Sequence, residues 1–273
     1  MAIITISRGT FAGGEKLAAA LAECLGYRTV SREELYQQVQ AEHDFKAEEL
    51  AELLEEAPSL RAHLAERRSR LSVGERRRQL FLAVQASLCE LVKADRVIYH
   101  GQAGQLLLPG ISHVFRLRLI APRHQRIEMA IQREGLTRSE AGQKIDRVDN
   151  ERSRWTQSFF NVDWADPLLF DMVLNLECLS VSEAAEIVVH AVQLPRFGTS
   201  DASQKKMDDL ALASRVSACL ATNPATAAVP VEVVADGGLV KLVGLPNQDD
   251  VESVSKVVQK IEGVQKIEIS DCR

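Results

Sequence analysis

At 273 residues, with 46% hydrophobic and 26% charged side chains, the chain has the composition of a globular protein able to bury a sizeable core, which excludes general disorder. Its formal net charge of −5 argues against a general nucleic-acid binder, while leaving room for a local basic site. Five cysteines, Cys24, Cys89, Cys178, Cys219 and Cys272, form no C-x-x-C pair; with no basic leader before the first apolar run and no apolar stretch near the roughly 20 residues of a membrane span, a cytoplasmic protein without an integral membrane segment is expected.

The chain opens on the strand-like run Ile3-Ile4-Thr5-Ile6, which breaks into glycines at Gly9, Gly13 and Gly14 before a helix-forming segment from Leu17 to Leu25. A strand feeding a glycine-rich turn and then a helix directs backbone N–H groups and the positive helix end at one point, where an anion can sit. The Walker spacing fits from Gly9 to Gly14, but Glu15 occupies the lysine position and Lys16 follows it. A carboxylate about 4 Å from a phosphate costs roughly 1 kcal/mol in water-like surroundings and several in a partly buried site. Glu15 therefore either takes that cost or points outward, as acids in a first helical turn do. Lys16 lies about 100° further round the helix, so it replaces the missing charge only if the loop is rearranged.

Tyr27-Arg28-Thr29-Val30 reads as a second strand, and Ser31 precedes a charged helix start at Arg32-Glu33-Glu34. From Tyr36 to Gln79 the chain is rich in Ala, Leu, Glu and Arg and is expected to form two or three helices interrupted near Pro58 and Gly74. Its arginine cluster, from Arg67 to Arg78 with Glu66 and Glu75 interleaved, reads as a solvated face or, for one member, as a contact to an acceptor phosphate. A buried helix follows over 80–92, then strands over 96–100, 113–120 and 170–176, with helices over 123–133, 138–150 and 182–192 between and after them. Strands alternating with helices predict a parallel sheet covered by helices on both faces. Residues 195–209 lack apolar periodicity and are expected to link this domain, 1–194, to a second one, 210–273, of helix-strand-strand-helix-strand order with a hairpin at Asp236-Gly237-Gly238. The expected class is thus α/β, with a small α+β C-terminal domain.

Four segments carry a family resemblance: Ile4-Thr5-Ile6-Ser7-Arg8 with Gly13-Gly14, the Arg32-Glu33-Leu35 neighbourhood, Val97–Gly104, and the long stretch Ile120–Leu176. Within the last, Val148-Asp149-Asn150-Glu151-Arg152-Ser153-Arg154 and Asn161-Val162-Asp163-Trp164-Ala165-Asp166-Pro167 are the most specific parts. On these residues the first two hundred or so positions resemble the cytidylate kinase-like family of P-loop nucleoside monophosphate kinases. The C-terminal unit resembles a BON domain in Asp236-Gly237-Gly238-Leu239-Val240, Leu242-Val243-Gly244 and Gly263-Val264. That second resemblance implies an accessory module meeting a ligand, a membrane surface or another copy of the chain; a small structural or dimerising lobe is the alternative.

The kinase resemblance implies ATP and Mg²⁺ as cofactors, nucleotides as partners, and phosphoryl transfer, which asks a protein mainly for positioning and positive charge. By the same resemblance Gly9, Gly13, Gly14 and Lys16 fall at the donor phosphates, Arg147, Arg152 and Arg154 in the lid that closes over them, and Ser31, Arg32 and Gln102 near the acceptor. Arg152 and Arg154 diverge by about 200° on an uninterrupted helix, so both reach one phosphate chain only if the lid is bent there. Without the resemblance the same arginines read as a solvated face paired with Asp146, Asp149 and Glu151. Three positions depart from the family pattern, Glu15 and Gln102 where basic residues are common and Ser31 where Asp is common; together they suggest an altered acceptor or lost turnover, so that a nucleotide-binding sensor or scaffold is the alternative to an enzyme. Neither histidines nor cysteines have metal-ligand spacing, and no protein-held metal is expected.

Overall fold

The structure, a computed structural model, describes residues 2–46, 50 and 73–270. Most of the helical segment expected between Tyr36 and Gln79, with Pro58 and the arginines at 67, 68 and 70, lies outside the described residues. Two compact units are formed: residues 2–34 with 94–199, and residues 35–46, 50 and 73–93 with 200–270.

The first unit is built on five parallel strands, β1 (Ile3–Arg8), β2 (Arg28–Val30), β3 (Val97–Tyr99), β4 (Val114–Ile120) and β5 (Met172–Asn175), in the order β2-β3-β1-β4-β5. Helices α1 (Gly14–Leu25), α2 (Arg32–Glu42), α3 (Val73–Val92), α4 (Gly104–Leu107), α5 (Arg123–Glu134), α6 (Arg138–Phe160), α7 (Val181–Val192), α8 (Asp201–Thr222) and α9 (Gln248–Val258) complete the described chain, with α2 crossing between the units. β1 is central, Ile4 standing opposite Ile98 on one side and Phe115 on the other. Its first five positions are buried, as a strand covered on both faces requires, which is why it reads as an apolar run rather than an alternating one.

One face of the sheet packs against α1 and α7: Leu17, Ala18 and Leu21 with Ala184, Ala185 and Val188 close over Ile4, Ile6, Phe115 and Leu117. The other face receives α4, where a Cβ on Gly104 would stand 3.1 Å from Thr5 Cγ2. The expected parallel sheet with helices on both faces is therefore present. At its β5 edge Asp171 accepts from Arg116 at Nε and Nη2, at 3.0 and 2.9 Å, and from the Arg116 backbone N–H at 2.9 Å. Burial opposes ionisation of Asp171, but these bonds outweigh it and hold the carboxyl below its usual range.

In the second unit β6 (Glu232–Asp236) pairs antiparallel with β7 (Leu239–Val243) through a turn with Gly237 and Gly238 at φ 56° and 87°, and β7 pairs parallel with β8 (Lys266–Ser270). The expected helix-strand-strand-helix-strand order is that of α8, β6, β7, α9 and β8. Its core is Leu212, Val216 and Leu220 of α8 against Val240, Leu242, Val254 and Val258. Residues 195–209, where the link between the domains was expected, form a 3₁₀ turn at Pro195–Phe197 and the first two turns of α8, whose start is fixed by a Ser200 capping box. A second stripe of α8 is small, Ala211, Ser214, Ala218 and Ala221, all buried, and Ser214 Oγ meets Cys89 Sγ of α3 at 4.0 Å. That stripe explains why residues 73–93 fold with the C-terminal part rather than with the sheet that precedes and follows them in sequence.

Candidate functional site

The loop between β1 and α1 is shaped by its glycines. Gly13 caps α1 at φ 88° with no side-chain hydrogen bond, so the first N–H groups of the helix, which have no intrahelical partner, face the space beyond it. Phe11 is also left-handed, at φ 61°, a strained position for a bulky residue. Two further glycines make room for arginine side chains: a Cβ on Gly14 would lie 2.9 Å from Arg8 Cγ and Cδ, and one on Gly9 the same 2.9 Å from Arg126 Cζ.

Beneath the loop lies a connected polar floor. Asp149 of α6 accepts at Oδ1 from the Thr10 backbone N–H (3.0 Å) and from Thr10 Oγ1 (2.8 Å), while Oδ2 pairs with Arg126 of α5. Arg126 Nε donates to the Thr10 carbonyl at 2.8 Å. Arg152 Nη1 reaches the Arg8 carbonyl at 3.0 Å and Thr10 Oγ1 at 3.1 Å. Arg8 itself runs under Gly14 and donates from Nη1 to the Gly101 carbonyl at 2.8 Å, joining the end of β1 to the turn after β3. That turn is held by buried Tyr99, whose hydroxyl accepts from the Gln102 N–H at 3.1 Å. Burial lowers the Arg8 guanidinium below its ordinary pKa, and burial together with Arg8 pushes Arg152 down to about 10.

Above this floor opens a cavity of about 690 Å³ at the carboxyl ends of β1 and β3, the place where open α/β sheets receive ligands. The loop from Gly9 to Gly14 forms one wall and a single stripe of α6, Lys144, Arg147, Val148, Glu151 and Arg152, forms another. These five share a face because their spacings of three and four match the helical period. Four acid–base pairs ring the mouth: Glu15–Arg133 at 2.5 Å, Arg32–Glu33 at 3.3 Å, Lys144–Glu134 at 2.6 Å and Arg147–Glu151 at 3.9 Å. The hydrogen bond from Arg133 holds the Glu15 carboxyl below its usual range. Glu15 thus lies in the wall, at its exposed edge, with its charge answered by a neighbouring helix.

Of the residues expected from sequence, Gly9, Gly13, Gly14, Arg32, Gln102, Arg147 and Arg152 meet at this one cavity. Lys16 is exposed and is not in its wall. Arg154 is exposed as well, because α6 runs without interruption to Phe160 and turns it away from Arg152. Ser31 is outside the wall too, its Oγ accepting from the Glu34 N–H at 3.0 Å as a cap of α2. Arg8, Arg126, Asp149 and Arg133 were not expected at the site. Arg8 and Asp149 lay inside the motifs that carried the resemblance, whereas nothing in the spacing of Arg126 or Arg133 announces a loop contact. Among the described residues no group of three or more His, Cys, Asp or Glu could hold a metal ion, and no helix is long and apolar enough to cross a membrane.

A family model described as "Cytidylate kinase-like family" matches residues 3–177. No curated protein matches the chain. Among solved structures, an uncharacterized protein from Eubacterium ventriosum ATCC 27560 is 15% identical, with a TM-score of 0.50 over 70% of this chain and 97% of that one. Shikimate kinase from Acinetobacter baumannii, in complex with shikimate, is 13% identical with a TM-score of 0.39 over 70% and 93% of the two chains. The YorR protein of Bacillus subtilis, in complex with phosphorylated GDP, is 11% identical with a TM-score of 0.41 over 72% and 99%.

Proposed function

The chain belongs to the cytidylate kinase-like family and has a P-loop kinase fold, and from that premise we propose that it is a nucleoside monophosphate kinase-like phosphotransferase, moving the γ-phosphoryl of ATP to CMP, dCMP or a related monophosphate. One observation carries this reading: a glycine loop and a basic helix face stand across a single cavity from each other, at the strand ends of a parallel sheet. In the transfer the bond from the γ-phosphorus to the β,γ-bridging oxygen breaks and a bond to an oxygen of the acceptor phosphate forms, giving ADP and a nucleoside diphosphate. The loop N–H groups at Gly13 and Gly14 hold donor phosphates, Arg147 and Arg152 bring positive charge over them, and Arg32 with Gln102 faces the acceptor.

Mg²⁺ neutralises phosphate charge in such reactions. The carboxylates of this wall are each engaged with a base, so the ion would fit as one brought with the nucleotide and held by at most one or two protein oxygens, Glu33 beside Arg32 and Glu151 in the basic stripe being lining carboxylates that could supply them. The test is incubation of the full chain with Mg²⁺-ATP and a panel of nucleoside monophosphates. Diphosphate formed above the level of a Gly14→Asp control is expected, and none above it overturns the reading.

Lys16 outside the cavity favours a second reading, a catalytically impaired nucleotide sensor or scaffold whose C-terminal, BON-like module meets a ligand, a membrane surface or a second copy. Calorimetry that records nucleotide binding by a protein without turnover selects it; measurable turnover rejects it.

A further inference from the structure

The walls of the loop cavity carry more positive charge than their own carboxylates answer. Among the described residues its four lining carboxylates, Glu15, Glu33, Glu134 and Glu151, form ion pairs with Arg133, Arg32, Lys144 and Arg147 respectively. Two lining guanidiniums remain outside those pairs, Arg8 and Arg152. Below them, among the described residues, Asp149 is the carboxylate of the floor network: it is engaged with Arg126 and Thr10 and forms a longer ion pair, at 3.7 Å, with Arg152. Among the described residues Arg126 and Arg152 therefore share one carboxylate while Arg8 is hydrogen-bonded to a carbonyl, so three guanidiniums stand against one acid in a site where uncompensated charge is costly. Positive charge also crowds here: Arg8 makes Arg152 harder to protonate, and Arg32 does the same to Arg8. A dianion in the cavity removes the conflict.

Position narrows the anion's identity. Arg8 passes directly under Gly14, the first residue of α1, and its Nη1 is fixed on Gly101, one residue before Gln102. It thus lies between the loop that faces the donor and the turn that faces the acceptor. The lysine position of the loop holds Glu15, and Lys16 is outside the wall. We propose that Arg8, together with Arg152, seats the phosphoryl group in transit between donor and acceptor and supplies the charge that the loop's own sequence lacks. This rests on the phosphotransferase reading above for the identity of the ligand, but not for the existence of a seat for a phosphoryl dianion.

The two are separated by measuring binding without turnover. Inorganic triphosphate and Mg²⁺-ATP are titrated calorimetrically into the full chain and into Arg8→Met, Arg8→Lys, Arg152→Met and, as a charge-loss control at an exposed lysine of the second unit, Lys256→Met; circular dichroism melting checks that each is folded. Affinity for both probes is expected to fall at least tenfold in Arg8→Met and Arg152→Met, by less in Arg8→Lys, and by under twofold in Lys256→Met. ADP binding is expected to change by under threefold in Arg8→Met, because the group this residue seats is missing from ADP. Wild-type protein that binds neither probe, or an Arg8→Lys and Arg8→Met pair that both bind them as wild type does, overturns the proposal. Should Arg8→Met fail to fold, Arg8→Lys decides alone, since it keeps the charge but cannot hold both Gly101 and a phosphate as a planar guanidinium does. Inorganic triphosphate binding that is lost with Arg8, in a protein that forms no diphosphate, sinks the kinase reading and leaves the seat standing.

Discussion

The floor and the rim of the loop cavity are made of the same residue types, arginines with acids, yet they differ in what a single substitution does. On the floor, Arg126, Asp149 and Arg152 are 14–20% exposed, and each of them bonds to the backbone of the loop. At the rim, Glu15 and Arg133 are 53% and 44% exposed, each on its own helix end and screened by solvent. The floor determines the loop's shape, whereas the rim only sets the potential a ligand meets as it arrives. Removing a partner below leaves buried charge unanswered; removing one above leaves a solvated side chain.

The largest effect that distinguishes the two is expected at Asp149. Asp149→Ala strips from Arg126 and Arg152 the carboxylate they share and frees Thr10, so chemical denaturation is expected to show a loss of about 3 kcal/mol, with nucleotide affinity falling as the loop loses its shape. A loss no greater than that of a rim substitution would erase the distinction. Next comes the pair Arg152 and Arg154, two residues apart on one helix. Arg152→Ala is expected to lower kcat/KM on the order of 100-fold, the scale of one lost electrostatic donor in a phosphoryl-transfer site. Arg154→Ala should stay within about threefold, because its side chain is solvated on the other side of α6. Equal effects would mean that α6 bends when ligand binds.

The fate of these two arginines also shows how much of the site could be read from sequence. Helical geometry already separates them by about 200°, but the separation becomes decisive only because α6 continues to Phe160, ten residues past the expected end at Asn150. The central strands were legible for a simpler reason: a strand buried on both faces must be apolar throughout, as Ile3-Ile4-Thr5-Ile6 is. Arg8 was hidden at the end of that run, where alternation from Ile4 and Ile6 carries it onto the face under α1 and so beneath the loop. Arg126 and Arg133 were not legible at all, since they reach the loop from another helix. The start of α8 is not legible in the sequence because the residues it buries there are Ser203 and Met207, followed by the small stripe from Ala211, and small side chains leave little apolar period.

A smaller effect tests a part of the same unit away from the cavity. The Asp171 carboxyl lies below its ordinary pKa in the fold, so its contribution to stability is full above the unfolded-state value and is lost as pH falls through the folded-state value. Asp171→Asn is expected to flatten that acid limb of a melting-temperature profile, and Arg116→Met to cost about 1–2 kcal/mol near neutrality, as a bidentate but partly exposed pair should. An unchanged acid limb would mean that the bonds from Arg116 do not hold the carboxylate in solution.

The smallest effect is expected at the rim, where it decides what Glu15 does. If its charge is answered by Arg133, Glu15→Gln releases Arg133 toward the cavity, and Mg²⁺-ATP affinity rises by a few-fold at low salt and returns to the wild-type value near 0.5 M salt, where the Debye length falls to roughly 4 Å and solvated charges are screened. Stability changes by less than about 1 kcal/mol, because both partners are solvated. Arg133→Gln leaves Glu15 unanswered beside the donor phosphates and lowers affinity by a similar factor, with the same salt dependence. In the double variant both charges are gone, and affinity returns close to that of wild type, since the pair contributes almost no net charge to the cavity. A gain above tenfold for Glu15→Gln that survives high salt would instead place the carboxylate against the phosphates themselves, and would move Glu15 from the rim to the floor.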